Sequence, residues 1–329
     1  MAPETLFTLA RREVDTPGFH GIEFLEVEAR SVINRVPESS KVPFRYTINP
    51  YRGCTHACVY CFARPTHAFL ELGAGRDFET KIVVKVNAAE VLRRELASRR
   101  WRGEHIAMGT NTDPYQRAEG RYRLMPGILR ALIDHRNAFS ILTKGTLVLR
   151  DLELLVEAVG VAPVSAAFSI GTLDEEMWRR TEPGTPHPRS RIEAVRALNE
   201  AGVPTGVLVA PVLPGLTDRP AMLRDVVAAA IDAGATHVSP ILLHLRPGVR
   251  EEFLPWLERE FPDLVPRYRR LYPRAYAPAE ARRELGDRVA SLVRSLGGAR
   301  PAPAHERFAR PGASEGDRDG RAPEQLSIL

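Results

Sequence analysis

Cysteine is almost absent from this sequence: its 329 residues contain three, Cys54, Cys58 and Cys61. Because no cysteine lies elsewhere, disulfides cannot close long loops, and a disulfide-stabilised fold is excluded. Long apolar runs are also missing, since no segment approaches the roughly 18 apolar residues of a membrane span. Residues 1–12 carry Glu4 and lack the apolar core of a signal peptide. These absences predict a cytoplasmic protein with reduced thiols.

The sequence also lacks a strong excess of either charge. Its 46 Lys and Arg against 41 Asp and Glu leave a net charge of +5, with a pI near 9.3. This balance is compatible with an anionic partner but is mild for a chain of this length. With 44% hydrophobic and 26% charged residues, the composition is that of an ordinary globular protein with one large or two small domains.

The three cysteines fall within eight consecutive positions, 54–61. Three thiolates on one short loop are a ligand set for an iron-sulfur cluster or for zinc. A cluster of four irons held by three thiolates leaves one iron open. A structural zinc needs four protein ligands, and here His56 or His67 would have to complete the set. The residues alone leave both alternatives open.

Short β-branched runs alternate with helical patterns between residues 45 and 245, which is typical of βα units and a parallel sheet. Six strands are predicted, at residues 45–49, 105–109, 138–143, 164–170, 205–209 and 237–243. Between them, Ser190 with Glu193 resembles a capping box, and Gly160, Gly202 and Gly234 occupy helix C′ positions. Six units are too few for an eight-stranded barrel. The predicted fold class is therefore α/β, a partial (β/α)6 TIM-type barrel with a C-terminal helical appendage.

The predicted organisation has four parts. Residues 1–42 form an N-terminal extension, and residues 43–247 form the barrel. Residues 248–298 form the helical region, and residues 299–329, rich in Pro, Gly and charge, form a disordered tail.

Polar residues follow the predicted strands, and the cysteine loop follows the first one. Residues 109–116 come after the second strand, Lys144 after the third, and Ser169 lies near the end of the fourth. The carboxyl ends of barrel strands share one rim, so these residues are expected to converge there.

The spacing of the cysteines, with Tyr60 just before the last of them, resembles that of the radical S-adenosylmethionine (SAM) enzymes. The flanks 46–54, 61–64 and 112–116 resemble the branch that contains spore photoproduct lyase and its bacterial relatives. The resemblance implies that Cys54, Cys58 and Cys61 hold a [4Fe-4S] cluster whose fourth iron binds SAM. It also implies reductive cleavage of SAM to a 5′-deoxyadenosyl radical that abstracts hydrogen from a substrate. An electron donor such as a flavodoxin or ferredoxin is implied as a partner.

The same resemblance implies roles for residues at the rim. The family's Gly-Gly-Glu-like segment, which receives the SAM amino group, is replaced here by residues 109–113, with Thr112 and Asp113 as candidates; the alternative is a turn at Asp113. Lys144 would pair with the SAM carboxylate, Ser169 with the ribose, and Val209–Pro211 would lie against adenine. Tyr60 would contact adenine or shield the cluster, unless it is a core aromatic residue.

Substrate contacts are predicted at Tyr115 and Gln116, with Glu119 beside them, and an ion pair of Glu182 with Arg189 would order a nearby loop. Spore photoproduct lyase uses an additional cysteine as hydrogen donor, and this chain has none left. A tyrosine such as Tyr115 would have to replace it, or the reaction differs.

The substrate is left open. A DNA-lesion lyase is one alternative, and a zinc-bearing nucleic-acid-binding module that is not an enzyme is another. Arginines alternate with aromatic residues at 99–102, 121–123 and 267–276, as on phosphate-plus-stacking surfaces; solvated helix faces explain the same runs.

Overall fold

The computed structural model describes residues 7–11, 19–38, 40 and 42–298, with the backbone alone for residues 7–11. The predicted disordered tail, 299–329, lies outside the described residues. Within the described ranges, no helix is long and apolar enough to cross a membrane.

The larger sheet contains seven strands in the order β11-β10-β9-β8-β7-β4-β3. All neighbours from β4 to β11 pair in parallel, and only β3 pairs antiparallel, with β4. The strands are β3 (Ile33–Arg35), β4 (Tyr46–Ile48), β7 (Ile106–Met108), β8 (Phe139–Thr143), β9 (Val164–Ser169), β10 (Thr205–Val212) and β11 (Val238–Leu242). The six predicted strands are confirmed, with small shifts at their ends. They form the α/β fold with a parallel, partial-barrel sheet that the sequence predicts.

Helices connect the parallel strands and cover one side of the sheet. The α-helices are α1 (Arg76–Thr80), α2 (Ala88–Leu96), α3 (Arg117–Tyr122), α4 (Leu124–Asp134), α5 (Leu152–Val159), α6 (Glu175–Thr181), α7 (Pro188–Glu200), α8 (Pro220–Asp232), α9 (Arg250–Glu260), α10 (Val265–Leu271) and α11 (Ala279–Ser295). Short 3-10 helices cover Arg64–Leu70, Thr146–Asp151 and Pro262–Leu264. The last helix, α11, packs against β11 and α8, so the C-terminal helices lie beside the sixth parallel strand.

Apolar side chains from the sheet and the helices form one large core. Phe168 on β9, Leu132 on α4, Leu198 on α7 and Val207 on β10 are all fully buried in it. Each such side chain contributes about 1.5–3 kcal/mol through burial. This packing fixes the helices over the strands, so the strand ends have defined positions.

A second, four-stranded sheet was not predicted. Its order is β1-β2-β6-β5, with β1 (Phe7–Arg11), β2 (Glu23–Ala29), β5 (Tyr51–Arg52) and β6 (Lys81–Lys85). Strand β2 lies inside this sheet, antiparallel to β1 and parallel to β6. Part of the predicted N-terminal extension is therefore built into the fold, next to the chain that leads into the cysteine loop.

The predicted helix ends are partly right. Gly202 and Gly234 directly follow the C-caps of α7 and α8 with φ of +83° and +74°, as a left-handed C′ residue requires. The prediction that Gly160 is a C′ residue is wrong, because Gly160 is the C-cap of α5 itself, with φ −69°. The capping box at Ser190 is also wrong, because Pro188 starts α7 two residues earlier and His187 is its N-cap.

Gly109 and Gly202 provide a matched test of backbone constraint, since both have positive φ. A Cβ on Gly202 would meet nothing within 4 Å, whereas a Cβ on Gly109 would lie 1.7 Å from the carbonyl oxygen of Leu142. We expect Gly202→Ala to cost about 1–3 kcal/mol from strain alone. Gly109→Ala should cost clearly more, because the clash is with backbone. Urea unfolding measures both, and equal losses would contradict this account.

Candidate functional site

An open cavity lies at the carboxyl ends of the parallel strands, with about 930 Å³ of empty space counted to its mouth. We call it the cysteine cavity, because Cys54, Cys58 and Cys61 all line it. Its other walls come from the ends of β7 to β11; the residues that line them include Gly109, Asn111, Asp113, Lys144, Ser169, Pro211 and His244. The predicted convergence on one rim is confirmed for all of these residues except His244, for which no prediction was made.

The backbone of the cysteine loop is held by segments distant in sequence. Cys54 N–H donates to Phe78 O at 2.9 Å, and Val59 N–H donates to Thr181 O at 3.1 Å. Gly184 N–H donates to His56 O at 3.1 Å, and a Cβ on Gly184 would lie 2.2 Å from Thr55 O. The loop after α6 therefore packs directly against the cysteine loop, and only glycine fits at that contact.

Two buried side chains clamp the same loop. Gln116 is fully buried; its Oε1 accepts from Thr55 N–H and its Nε2 donates to Gly53 O, both at 2.9 Å. The guanidinium of Arg64 donates to Cys58 O at 3.0 Å and to Ala74 O and Gly75 O at 3.1 Å. These bonds satisfy carbonyls that no regular secondary structure reaches.

The thiols stand on the cavity wall in a form that fits a cluster. Burial raises the pKa of all three, so the unliganded thiols are protonated and ligand binding must release protons. Within the described residues, no group of three Cys, His, Asp or Glu side chains is arranged to hold a single metal ion. Three thiols on one cavity wall are soft ligands of the kind that iron-sulfur clusters take.

Each histidine offered as a zinc ligand has one ring nitrogen close to another residue. His56 lines the cysteine cavity, and its Nδ1 lies 3.4 Å from Asp113 Oδ2. His67 Nε2 lies 3.0 Å from Lys81 O, and its ring packs edge-to-face on Phe78 at 5.3 Å. Burial lowers the pKa of both histidines, which favours the neutral ring, the form that binds metal. His67 does not line the cavity, so His56 is the histidine that stays a candidate zinc ligand.

A buried polar network forms the wall opposite the apolar strand ends. The Tyr60 hydroxyl donates to Glu182, Arg191 also donates to Glu182, and Lys144 Nζ lies 3.9 Å from the same carboxylate. Burial opposes ionisation of Glu182, but Arg191 and Lys144 outweigh it and hold its pKa below the usual value. Lys144 Nζ also donates to Ser169. The predicted ion pair of Glu182 with Arg189 is wrong, because Glu182 pairs with Arg191 instead.

Asp113 lines the cavity, but its carboxylate is already occupied. Its Oδ1 accepts from Tyr115 N–H at 2.9 Å and from Thr143 Oγ1 at 2.6 Å, and its Oδ2 accepts from Lys144 N–H at 2.6 Å. Asp113 therefore joins the ends of β7 and β8 and orients His56. The nearby Asn111 Oδ1 is buried without a partner and is a freer acceptor for a ligand N–H group.

Four predicted residues point away from the cavity. Thr112 Oγ1 donates to Tyr51 O at 2.7 Å, and Tyr115 is buried with its hydroxyl donating to Asp151 at 3.1 Å. Gln116 clamps the cysteine loop, and Glu119 accepts from Tyr51 and Arg150. None of the four lines the cysteine cavity, so the structure gives no support to the cofactor contact predicted for Thr112 or to the substrate contacts predicted for the other three. The turn at Asp113-Pro114 directs them into the core, which strand periodicity does not reveal.

One cavity residue, His244, was missed, and Asn111, which lies in the predicted rim segment 109–116, was not named as a possible ligand. His244 follows β11, packs edge-to-face on Tyr276 at 4.8 Å, and has its pKa lowered by burial to about 4. It directly follows the sixth predicted strand, so the rule that selected Lys144 would also have selected His244.

Comparisons with known proteins agree with this arrangement. The family model of the radical SAM superfamily matches residues 48–226. The chain belongs to the radical SAM superfamily. Membership in this superfamily indicates an enzyme, and its members generally use a [4Fe-4S] cluster and SAM.

Relatives of this radical SAM protein occur in bacteria and archaea. An uncharacterised protein of Mycobacterium tuberculosis is 52% identical over 296 residues, covering 89% of this chain and 87% of its own. An uncharacterised protein of Methanocaldococcus jannaschii is 31% identical over 198 residues, covering 60% of this chain and 70% of its own. Among solved structures, spore photoproduct lyase complexed with dinucleoside spore photoproduct superposes with a TM-score of 0.59 at 18% identity, covering 83% of this chain and 79% of that one. At 18% identity, this structural similarity shows a common fold only.

Substituting Arg64 tests the clamp on the cysteine loop. Arg64→Lys keeps the charge but loses the planar fork that reaches three carbonyls, which should cost about 2–4 kcal/mol at about 0.5–1.5 kcal/mol per hydrogen bond. We expect less iron per chain after reconstitution and a lower Tm. Arg99→Lys, at an exposed position, is the control. Unchanged iron content and Tm in Arg64→Lys would show that the clamp is dispensable.

Proposed function

We propose that this protein is a radical SAM enzyme in which Cys54, Cys58 and Cys61 bind a [4Fe-4S] cluster and the rest of the cysteine cavity binds SAM. When bound, the reduced cluster supplies the electron that cleaves SAM to methionine and a 5′-deoxyadenosyl radical, which abstracts hydrogen from the substrate. The observation that carries the proposal is that all the cysteines of the chain line one cavity at the strand ends.

The chain's own residues supply binding and orientation. Lys144 is the cation of the cavity wall and is suited to the SAM carboxylate, and Ser169 beside it is suited to the ribose hydroxyls. Ser169 Oγ donates to Ala210 O at 2.7 Å and accepts from Lys144 Nζ, which leaves one lone pair as an acceptor. The Tyr60 ring lies 5.8 Å from Lys144 Nζ and shields the thiols from that side.

The apolar half of the cavity supports the adenine position. Leu208, Ala210 and Pro211 of β10, with Ile241 and Leu243 near the end of β11, form a continuous apolar wall. Val209, included in the predicted adenine segment, is buried behind this wall. Apolar walls exclude water, and this protects a reactive radical from side reactions.

The substrate reaction differs from that of an enzyme with a cysteine hydrogen donor. The chain has three cysteines, and all of them line the cluster site. Tyr115, the tyrosine predicted as a substitute, does not line the cavity. The spore photoproduct lyase reaction is therefore not carried over to this protein.

Most aromatic rings of the arginine-aromatic segments pack against other rings of the protein, which gives little support to a stacking surface for nucleic acid. Tyr268 and Tyr272 are fully buried and stack on each other with centroids 5.9 Å apart. Trp101 and Tyr122 are half-buried; Trp101 packs on Tyr46 at 4.9 Å, and Tyr122 packs on Phe24 at 5.2 Å.

We place the reaction in the cytoplasm, with a flavodoxin or ferredoxin as electron donor. Burial makes the thiols poor ligands until they lose their protons, and a reducing compartment keeps them available for metal.

Reconstitution tests the proposed chemistry directly. We expect the anaerobically reconstituted wild type to be brown, to contain iron and acid-labile sulfide, and to form 5′-deoxyadenosine from SAM after reduction. Cys58→Ala should lose cluster retention and 5′-deoxyadenosine formation. Arg99→Ala is the control at an exposed position. If the wild type holds an intact cluster but forms no more 5′-deoxyadenosine than Cys58→Ala does, the radical-enzyme hypothesis is refuted. A colourless protein that contains zinc would favour the zinc-bearing nucleic-acid-binding module.

Lys144→Met tests SAM recognition apart from the cluster. Loss of a charge-assisted hydrogen bond of about 1.5–3 kcal/mol should weaken SAM binding about 10- to 100-fold. Lys81→Met is the matched control, because Lys81 pairs with Asp77 at 3.0 Å outside the cavity. Iron content should be similar in both variants. If equilibrium dialysis gives equal SAM affinities for Lys144→Met and Lys81→Met, Lys144 does not bind SAM.

A further inference from the structure

A second cavity lies beside the cysteine cavity, with about 800 Å³ of empty space counted to its open mouth. It is bounded by the β3–β4 hairpin, by β5 and β6, and by the loop after β7. We call it the Lys85 cavity. Asn111 lines both cavities, so the two are neighbours with a shared wall.

The charges that line the Lys85 cavity have one sign. Arg35, Arg52 and Lys85 contribute to its wall, and no Asp or Glu does so among the described residues. Arg35 pairs with Glu38 at 2.6 Å near the exposed rim. Among the described groups, neither Arg52 nor Lys85 has a carboxylate within ion-pair distance. The inner part of the cavity is therefore cationic and uncompensated.

Strand pairing brings Arg52 and Lys85 together. Arg52 on β5 is opposite Val83 on β6, so Lys85, two residues further, projects from the same face of the sheet. Such diagonal neighbours are about 7–8 Å apart. The two cations repel each other there, and an anion between them removes the repulsion.

Lys85 is also removed from water, with 5% of its surface exposed. Burial, and secondarily the charge of Arg52, lowers its pKa to about 8. Glu95 attracts it electrostatically, but Glu95 Oε2 already accepts from the N–H groups of Val32 and Ile33 at 3.1 and 3.0 Å. An unpaired buried ammonium is costly unless a ligand supplies the counter-charge.

Further residues of the Lys85 cavity indicate which chemical groups the organic part of that ligand carries. Asn49 Oδ1 and Asn111 Oδ1 line this cavity and are buried without hydrogen-bond partners among the residues that the structure describes, so each can accept from a hydroxyl or N–H group. Phe69 lines the mouth with 82% of its surface exposed, which offers an apolar face to the ligand.

We propose that the Lys85 cavity binds a phosphate ester, with its phosphate between Arg52 and Lys85 and with hydroxyl or N–H groups of its organic part donating to Asn49 and Asn111. A phosphate monoester carries nearly two negative charges and several acceptor oxygens, which suits two cations better than a single carboxylate does, and a phosphodiester carries one charge with two free acceptor oxygens. The ligand would reach the cysteine cavity past Asn111. The inference that this ligand is the substrate of the radical reaction rests on the proposed function. The inference that the Lys85 cavity binds the ligand does not rest on it.

Titration of the full chain with inorganic phosphate, against sodium chloride of matched ionic strength, tests the site. We expect a saturable rise in Tm for the wild type. Lys85→Met should have a higher Tm without phosphate, because the unpaired charge is gone, and at least tenfold weaker phosphate binding by calorimetry. Arg99→Met, at an exposed position outside the cavity, should behave as the wild type.

Adenosine monophosphate and a single-stranded oligonucleotide identify the source of the phosphate, with adenosine as the unphosphorylated control. Tighter binding of the monophosphate supports a free phosphate ester, and tighter binding of the oligonucleotide, lost in Lys85→Met, supports a nucleic-acid backbone. Equal effects of phosphate on wild type and Lys85→Met, or adenosine binding as tightly as its monophosphate, would overturn the proposal. These titrations need neither SAM nor reductant, so failure of 5′-deoxyadenosine formation would refute the proposed function without affecting them.

Discussion

The main constraint on this structure is that hydrogen bonds from distant segments must hold an irregular loop with three thiols against the ends of the parallel strands. Within residues 53–61 the backbone makes few regular hydrogen bonds, so its polar groups need partners from elsewhere in the chain. Phe78, Gln116, Thr181 and Gly184 supply them from four separate segments. The barrel must therefore be assembled before the thiols can share a wall, which couples folding to the construction of the cysteine site.

Electrostatics reinforces this coupling on the far side of the loop. Glu182 is buried, yet two cations and the Tyr60 hydroxyl keep it ionised. One of these cations, Arg191, also donates to Ser169 O at 3.0 Å. The same carboxylate thus connects the loop after α6, the aromatic residue of the cysteine motif and the end of β9. Removing one partner would leave charge buried without compensation, so the network acts as a unit.

The small sheet gives the molecule a second polar surface next to the first. Helix α1 supports the cysteine loop through Phe78 O, and strand β6, which directly follows α1, pairs with β5 and ends in Lys85. The segment formed by α1 and β6 therefore contributes both to the support of the cysteine loop and to the cationic cavity. The shared residue Asn111 makes the two cavities neighbours.

Local patterns in the sequence were sufficient for the six parallel strands, the rim and the three thiols, because periodicity and cysteine spacing are properties of short segments. They were also sufficient for Lys144 and Ser169, which lie at strand ends. The directions of Thr112, Tyr115, Gln116 and Glu119 were decided by the tertiary structure, since their partners lie on other elements. The same holds for the choice of Arg191 over Arg189, for the small sheet, and for the Lys85 cavity. Long-range pairing and burial determine which way a side chain faces, and a sequence pattern within one segment carries no record of them.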